Sequence, residues 1–221
     1  QLIQALEKSD AVINLSGSPL ATRWTNKKKE ELKRSRIGVT QRLVKCLKSC
    51  KTPPKVFISA SAVGFYGNRG DAELTEESHK GKGFLSDLCE EWEGEAIKAE
   101  SKGVRVCRLR MGIALGREGG VLKTMALPFQ MNLGGYFGGK QFVPWVHIRD
   151  LVRIVEKCIS DNTLNGAINC TAPLPVRNKE FALLLQKATH SRFLLRIPAI
   201  FLKPILGDAI AILTDSQNVI P

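Results

Sequence analysis

The chain has 221 residues, 43% of them hydrophobic and 24% charged, which suits one domain with a sizeable core, or one with a small appendage, and excludes a low-complexity or disordered chain. The net charge is +12, yet the densest basic cluster (Lys27, Lys28, Lys29, Lys33, Arg34, Arg36) shares its helix with Glu30 and Glu31 and has no interleaved aromatic residues. It is read as a solvated helix face beside a site for an anionic cofactor, and no nucleic acid is expected. No run of 18 apolar residues occurs, so no membrane-spanning helix is predicted. The six cysteines form no C-x-x-C pair, and Cys46 and Cys50 have no histidine nearby to complete a metal set. They are read as reduced, half-buried thiols of an intracellular compartment.

In chain order, residues 1–8 carry a helical pattern through Leu2, Ile3 and Leu6, and a strand over 11–15 ends in Asn14-Leu-Ser-Gly17. Beyond Pro19 one long helix is predicted over 26–50, with Leu32, Val39, Leu43, Val44 and Leu47 near a 3.6-residue spacing. Val56, Phe57 and Ile58 form a second strand, which ends in Ser59 and Ser61 and runs into a glycine-rich turn, Gly64-Phe-Tyr-Gly67. A polar loop over 68–82 and a helix over 84–100 follow, then a third strand from Val104 that runs into Met111-Gly-Ile-Ala-Leu-Gly116. Residues 116–141 are glycine-rich around a short helix at 121–131. Residues 143–148 are extended, 150–159 helical with Asp150 as N-cap, and 166–170 a further strand. Helices are predicted over 177–189 and 197–213, with Pro198 near the start of the second. Strands alternate with helices, so the fold class is α/β, a Rossmann-type, mostly parallel sheet with a small C-terminal lobe. In such sheets the chemistry lies beyond the carboxyl ends of the strands, where a serine can hydrogen-bond a substrate hydroxyl or carbonyl.

Several motifs, weak singly, are specific in this order and spacing. They are Asn14-Leu-Ser-Gly17, Arg23-Trp24, Ser35-Arg36, Ser59-Ala-Ser-Ala-Val-Gly-Phe-Tyr-Gly67 and Cys89-x-x-Trp-Glu93. The series continues through Arg110-x-Gly-x-x-Leu-Gly116, Gly119-Gly120, Gly134-Gly135, Trp145-Val-His-Ile148 with Asp150, and Gln217-x-Val-x-Pro221. Together they resemble an atypical extended short-chain dehydrogenase/reductase, of the epimerase family proteins also described as cell-division-inhibitor-like. The resemblance covers nearly the whole chain. It implies a partial NAD(P)-binding Rossmann domain over 1–176 and the start of a substrate lobe over 177–221. It also implies NADP as cofactor and an unknown small-molecule substrate.

The family begins with a strand, a glycine-rich turn and a helix that hold the dinucleotide pyrophosphate, and no G-x-G-x-x-G occurs ahead of Asp10. The sheet is therefore expected to be N-terminally truncated, in a fragment or a processed product. The reductase tyrosine, with its lysine four residues later, is also missing, because the corresponding helix reads Phe84-Leu-Ser-Asp-Leu88. By the resemblance, Leu15, Ser16 and Gly17 approach the adenine-ribose side of the cofactor, Glu31 and Arg36 face it from the following helix, and the backbone of Ala114 meets its nicotinamide end. Ser61 aligns with the catalytic serine, and its alternative is a turn cap. Tyr66 is the nearby phenol, a substitute proton donor or a packing residue. His147 is a base or a hydrogen-bonded structural histidine. Arg110 binds a substrate anion or holds the loop at Gly116 through its carbonyls. Three readings stay open, an NADP-dependent oxidoreductase or nucleotide-sugar-epimerase-like enzyme, a non-catalytic dinucleotide-binding sensor or division-related scaffold, and a truncated product with no cofactor binding. A plastid, a mitochondrion and the cytosol all remain as compartments.

Overall fold

The computed structural model describes residues 1–117 and 119–221, with the backbone alone at residue 199. Helix α1 (Leu2–Glu7) leads to β1 (Ala11–Asn14), then α2 (Asn26–Lys33), a π-helical turn (Arg34–Gly38) and α3 (Val39–Ser49). Strand β2 (Val56–Ala62) runs into a 3₁₀ turn (Val63–Tyr66), β3 (Glu73–Leu74) and α4 (Phe84–Ile97). Next come β4 (Arg105–Met111), β5 (Ile113–Leu115), α5 (Val121–Gln130), β6 (Gly135–Phe137), β7 (Phe142–Val143), β8 (Trp145–His147), α6 (Ile148–Ser160) and β9 (Gly166–Cys170). The chain closes with β10 (Val176–Arg177), α7 (Asn178–Thr189), β11 (Leu195–Ile197), α8 (Lys203–Leu206), α9 (Ala211–Thr214) and β12 (Asn218–Val219).

The main sheet has four parallel strands in the order β1-β2-β4-β9. Strand β2 is buried on both faces, as a central parallel strand must be when helices cover each side. Its alternate residues face two cores. Phe57 packs with Val106, Val44, Leu47 and Ala96 under α3 and α4, while Val56 and Ile58 pack with Leu109 and three cysteines under α6. On the first face the apolar row gives way to polar residues toward the carboxyl end, where Ser59 pairs with Arg108 and Ser61 with Arg110 across the ladder. Outside this sheet the later strands pair in twos. Strand β12 joins β3, β10 joins β7 and β11 joins β6, so the last 46 residues tie back onto earlier loops.

Five expectations change. The helix predicted over 26–50 contains the π turn at Arg34–Gly38, whose extra residue swings Arg36 inward in line with Leu32, Thr40, Val44 and Leu47. Apolar periodicity alone could not show it, since two of the inward residues are polar. The two serines are ladder residues of β2 rather than the start of a turn. Helix α6 begins at Ile148 because His147 is the N-cap, its Nδ1 accepting from Arg149 N–H at 3.2 Å, and Asp150 sits in the first turn. The helix predicted over 197–213 is broken into short turns, with Pro204 opening α8 and Gly207 in the left-handed region at φ 57°. All six thiols are free, and five are buried outright rather than half-buried.

Candidate functional site

A cleft of about 360 Å³ opens at the carboxyl ends of β1, β2 and β4. One wall is Leu15, Ser16, Gly17, Arg36 and residues 60–64. The other comes from 141–144, Asn178, 211–213 and Asp215. The turn after β1 is set by Asn14, whose Oδ1 accepts from Ser16 N–H at 3.2 Å and whose Nδ2 donates to Thr40 Oγ1 at 2.9 Å. Thr40 Oγ1 also accepts from Trp92 Nε1 and donates to Arg36 O, so β1, the π turn and α4 meet at one hydroxyl.

Arg36 is 8% exposed. Its Nη2 donates to Ser18 O at 3.0 Å and its Nη1 reaches Ser35 Oγ at 3.4 Å, both neutral acceptors. Its guanidinium stands 5.5 Å from the Trp92 ring centroid, and no carboxylate pairs with it among the described residues. Burial holds its pKa below the usual arginine range. A Cβ at Gly17 would lie 2.9 Å from Arg36 Cζ, so a side chain there would displace the guanidinium that glycine leaves in place. Glu31 reaches the same loop. Its carboxyl is held below the usual range by hydrogen bonds first from Lys28 and then from Ser18. The structure thus brings Leu15, Ser16, Gly17, Glu31 and Arg36 together. Ala114 lies in β5 opposite Val146, and it is the neighbouring Ile113 that lines the cleft.

Behind the cleft lies a buried ionic network that sequence reasoning missed. Glu93 of α4 is 4% exposed and accepts from Arg110 Nε at 2.9 Å, Arg110 Nη2 at 3.0 Å, Arg108 Nη1 at 3.1 Å and Ser61 Oγ at 2.6 Å. Burial alone would lower the pKa of Arg110, but the Glu93 carboxylate outweighs it and the net shift is upward. Arg110 Nη1 donates onward to Tyr66 OH at 2.9 Å and to Glu76 O at 3.1 Å, and its Cζ stands 3.6 Å over the Phe65 ring. Arg110 therefore braces the 68–82 loop, not the loop at Gly116. The signal available in the sequence was alternation, since Ser59/Ser61 and Arg108/Arg110 must share a face of the sheet, and one buried acid was needed to neutralise them.

Ser61 lines the cleft, but its only proton goes to Glu93. The Tyr66 side chain is fully buried, its OH donating to Asn169 Oδ1 at 2.7 Å, and burial pushes its pKa up, with Arg110 offsetting part of the shift. The structure does not bring Tyr66 into the cleft. His147 serves as the helix cap. Phe84 meets Trp24 edge-on at 5.3 Å, and Leu88 is 1% exposed among Trp24, Leu32 and Ala209. Leu88→Lys would bury an unpaired ammonium there. It is expected to cost on the order of 3–5 kcal/mol, read as a fall in the urea midpoint with little change in slope.

Residues 1–170 match the model of the NAD dependent epimerase/dehydratase family. The chain is 39% identical over 219 residues to the epimerase family protein SDR39U1 homolog, chloroplastic, of Arabidopsis thaliana, covering 98% of this chain and 63% of that protein. It is 39% identical over 214 residues to an epimerase family protein of Staphylococcus aureus, covering 96% of this chain and 71% of the relative. Human epimerase family protein SDR39U1 (isoform 2), crystallised with NADPH, superposes with a TM-score of 0.89 at 33% identity, over 99% of this chain and 78% of that one.

Proposed function

The chain belongs to the NAD-dependent epimerase/dehydratase family, and from that premise we propose that it forms the dinucleotide-binding part of an NADP-dependent oxidoreductase or nucleotide-sugar-epimerase-like enzyme of unknown substrate. The observation that carries this reading is Arg36, a buried cation on the cleft wall whose partners are all neutral. A buried charge of that kind calls for an anion. NADPH supplies phosphate charge there and, when bound, a hydride. Leu15, Ser16 and Gly17 would lie along its adenine-ribose side, with Glu31 close by, and the backbone of Ala114 at its nicotinamide end. These 221 residues contain no G-x-G-x-x-G turn for the pyrophosphate. The finer placing among the atypical, cell-division-inhibitor-like reductases is part of the same reading. So are a division near Arg177 between cofactor domain and substrate lobe, and a plastid, mitochondrial or cytosolic site. Ser61 would meet the substrate, with Tyr66 acting through Arg110 and Glu93 to hold it in place.

A second reading, a non-catalytic dinucleotide sensor or scaffold, is favoured by Phe84 and Leu88 in place of the reductase tyrosine and lysine. Both readings require the cofactor. Titration of the 221-residue chain with NADPH should give weak binding, well above micromolar, with amide shifts confined to residues 15–18 and 36. Arg36→Met should lower the affinity at least about tenfold through loss of a charge-assisted contact. No shift at those amides at millimolar NADPH would sink the reading.

A further inference from the structure

The expected acid–base groups are spoken for. Ser61 Oγ–H donates to Glu93, Tyr66 O–H donates to Asn169, and position 84 is a phenylalanine. One titratable group on the cleft wall is left without a hydrogen-bond or ion-pair partner for its side chain among the described residues. It is Asp215.

Asp215 lies at the seam of two clefts. The first is the cofactor cleft, and the second, of about 770 Å³, runs between the 67–69 and 80–86 segments and the 208–215 segment. Leu85, next to Phe84, lines both clefts beside it. The backbone there is pinned. Asp215 N–H donates to Ala211 O at 2.9 Å, Ser216 N–H to Asn68 Oδ1 at 3.2 Å, and Ser216 Oγ to Gly70 O at 2.6 Å. The Asp215 backbone is therefore held on the wall of both clefts, and Phe84 lines the second of them.

We propose that Asp215 is the proton donor and acceptor of this cleft, standing in for the absent tyrosine. The proposal rests on the oxidoreductase reading above. In the reductive direction Asp215 gives its carboxyl proton to a substrate carbonyl oxygen as the carbon accepts a hydride, with its electron pair, from the reduced nicotinamide. The C=O π bond breaks, C–H and O–H bonds form and the ring is oxidised. The carboxylate left behind takes a proton from water reaching it through the second cleft. The product hydroxyl is then placed to donate to Ser61 Oγ, which has no proton free but has lone pairs.

Burial raises the pKa of Asp215 above the usual carboxyl range, and it is the only cause of the shift. The charged groups around the two clefts are Arg36 in the first and Lys29, Arg69, Lys80, Lys82 and Asp208 in the second. None of them stands among the causes of the shift, and Lys29 and Lys80 are already paired with carboxylates of their own. A carboxyl so placed holds its proton to higher pH than an ordinary aspartate, which is the requirement for a general acid.

The sign of the stability linkage follows. With the folded pKa raised, the buried charge is penalised above that pKa, and the penalty vanishes below the unfolded value of about 3.9. Asp215→Asn should therefore raise the melting temperature at pH 7 to 8 and leave it unchanged near pH 3. In carboxyl-labelled protein, the ¹³C resonance that Asp215→Asn removes should titrate above the other aspartates. An ordinary midpoint, or a stability gain independent of pH, overturns the proposal whatever the turnover. Against a carbonyl panel, Asp215→Asn should lower NADPH-dependent reduction by roughly 10²-fold, with NADPH-induced shifts at residues 15–18 unchanged and partial rescue by Asp215→Glu. Unchanged turnover with intact NADPH shifts overturns Asp215 and leaves the oxidoreductase reading standing. Absence of NADPH shifts in both proteins sinks that reading, while the titration still judges Asp215.

Discussion

Replacing Glu93 by glutamine is expected to destabilise the fold by about 3–5 kcal/mol, the usual result of removing one partner from a buried ion pair. Two guanidinium groups depend on that carboxylate. The Arg110 side chain is 5% exposed and that of Arg108 is 19% exposed, and Arg108 Nε already has no partner. An amide in its place points two N–H donors at groups that can only donate. The loss is large beside a total stability of roughly 5–15 kcal/mol. For a chain of this size it corresponds to a melting point lower by roughly 2–4 °C per kcal/mol. Urea unfolding of Glu93→Gln reads it directly, and a midpoint within error of the parent would show that the network contributes nothing. The Arg110→Met/Glu93→Met pair completes the comparison. If the charges act as a unit, the double variant is less destabilised than the sum of the two single changes.

That network also marks the limit of what the residues disclosed in advance. The order of strands and helices was legible because the apolar runs are short, β-branched and punctuated, and because Pro53-Pro54 and the glycine-rich turns fall between them. The first wall of the cleft was legible too. Asn14-Leu-Ser-Gly17 and Ser59 to Gly67 end two neighbouring parallel strands, and such ends converge on one edge of the sheet. Arg36 was placed by resemblance. Its physical reason, an inward turn made by one π-helical insertion, needs backbone geometry that a helical wheel at 100° per residue misassigns.

The second wall was not legible, for a different reason. Its residues, 141–144, Asn178, 211–213, Asp215 and Gln217, come from two-stranded ladders and short turns whose pairing is long-range. Nothing local in Leu213-Thr-Asp-Ser-Gln217 says that it returns to Asn68 and Gly70, yet Ser216 bonds both. Where periodicity was weak, the reading over 197–213 merged several turns into one helix. Apolar content there outweighed the stop signals of Pro204 and Gly207. The acid–base question turned on the same segment, since the candidate proton carrier comes from chain that sequence patterns describe only as a loop.

Ser61→Ala is expected to lower turnover by roughly 10²-fold, the usual effect of removing one group that meets the reacting oxygen. The geometry adds a direction to that figure. Ser61 Oγ donates its hydrogen bond to Glu93 at 2.6 Å, and Glu93 also accepts from Arg108 and Arg110. The hydroxyl is therefore fixed as an acceptor toward the cleft. It favours a substrate group that donates, an alcohol, over a carbonyl that can only accept. Because both directions share one transition state, kcat/KM for alcohol oxidation and for carbonyl reduction should fall by the same factor when the serine is removed, with the KM for the alcohol rising more than that for the carbonyl. NADPH-induced shifts at residues 15–18 should persist, because the turn after β1 is set by Asn14 through Ser16 N–H and Thr40 Oγ1, bonds in which Ser61 takes no part. The variant also loses a hydrogen bond to a charged group, about 1.5–3 kcal/mol, so rates are compared at a temperature where both proteins are folded by circular dichroism. An unchanged kcat/KM in both directions would make Ser61 only a ligand of Glu93. In that case turnover would rest on Asp215, because Phe84 and Leu88 already deny the site the reductase pair.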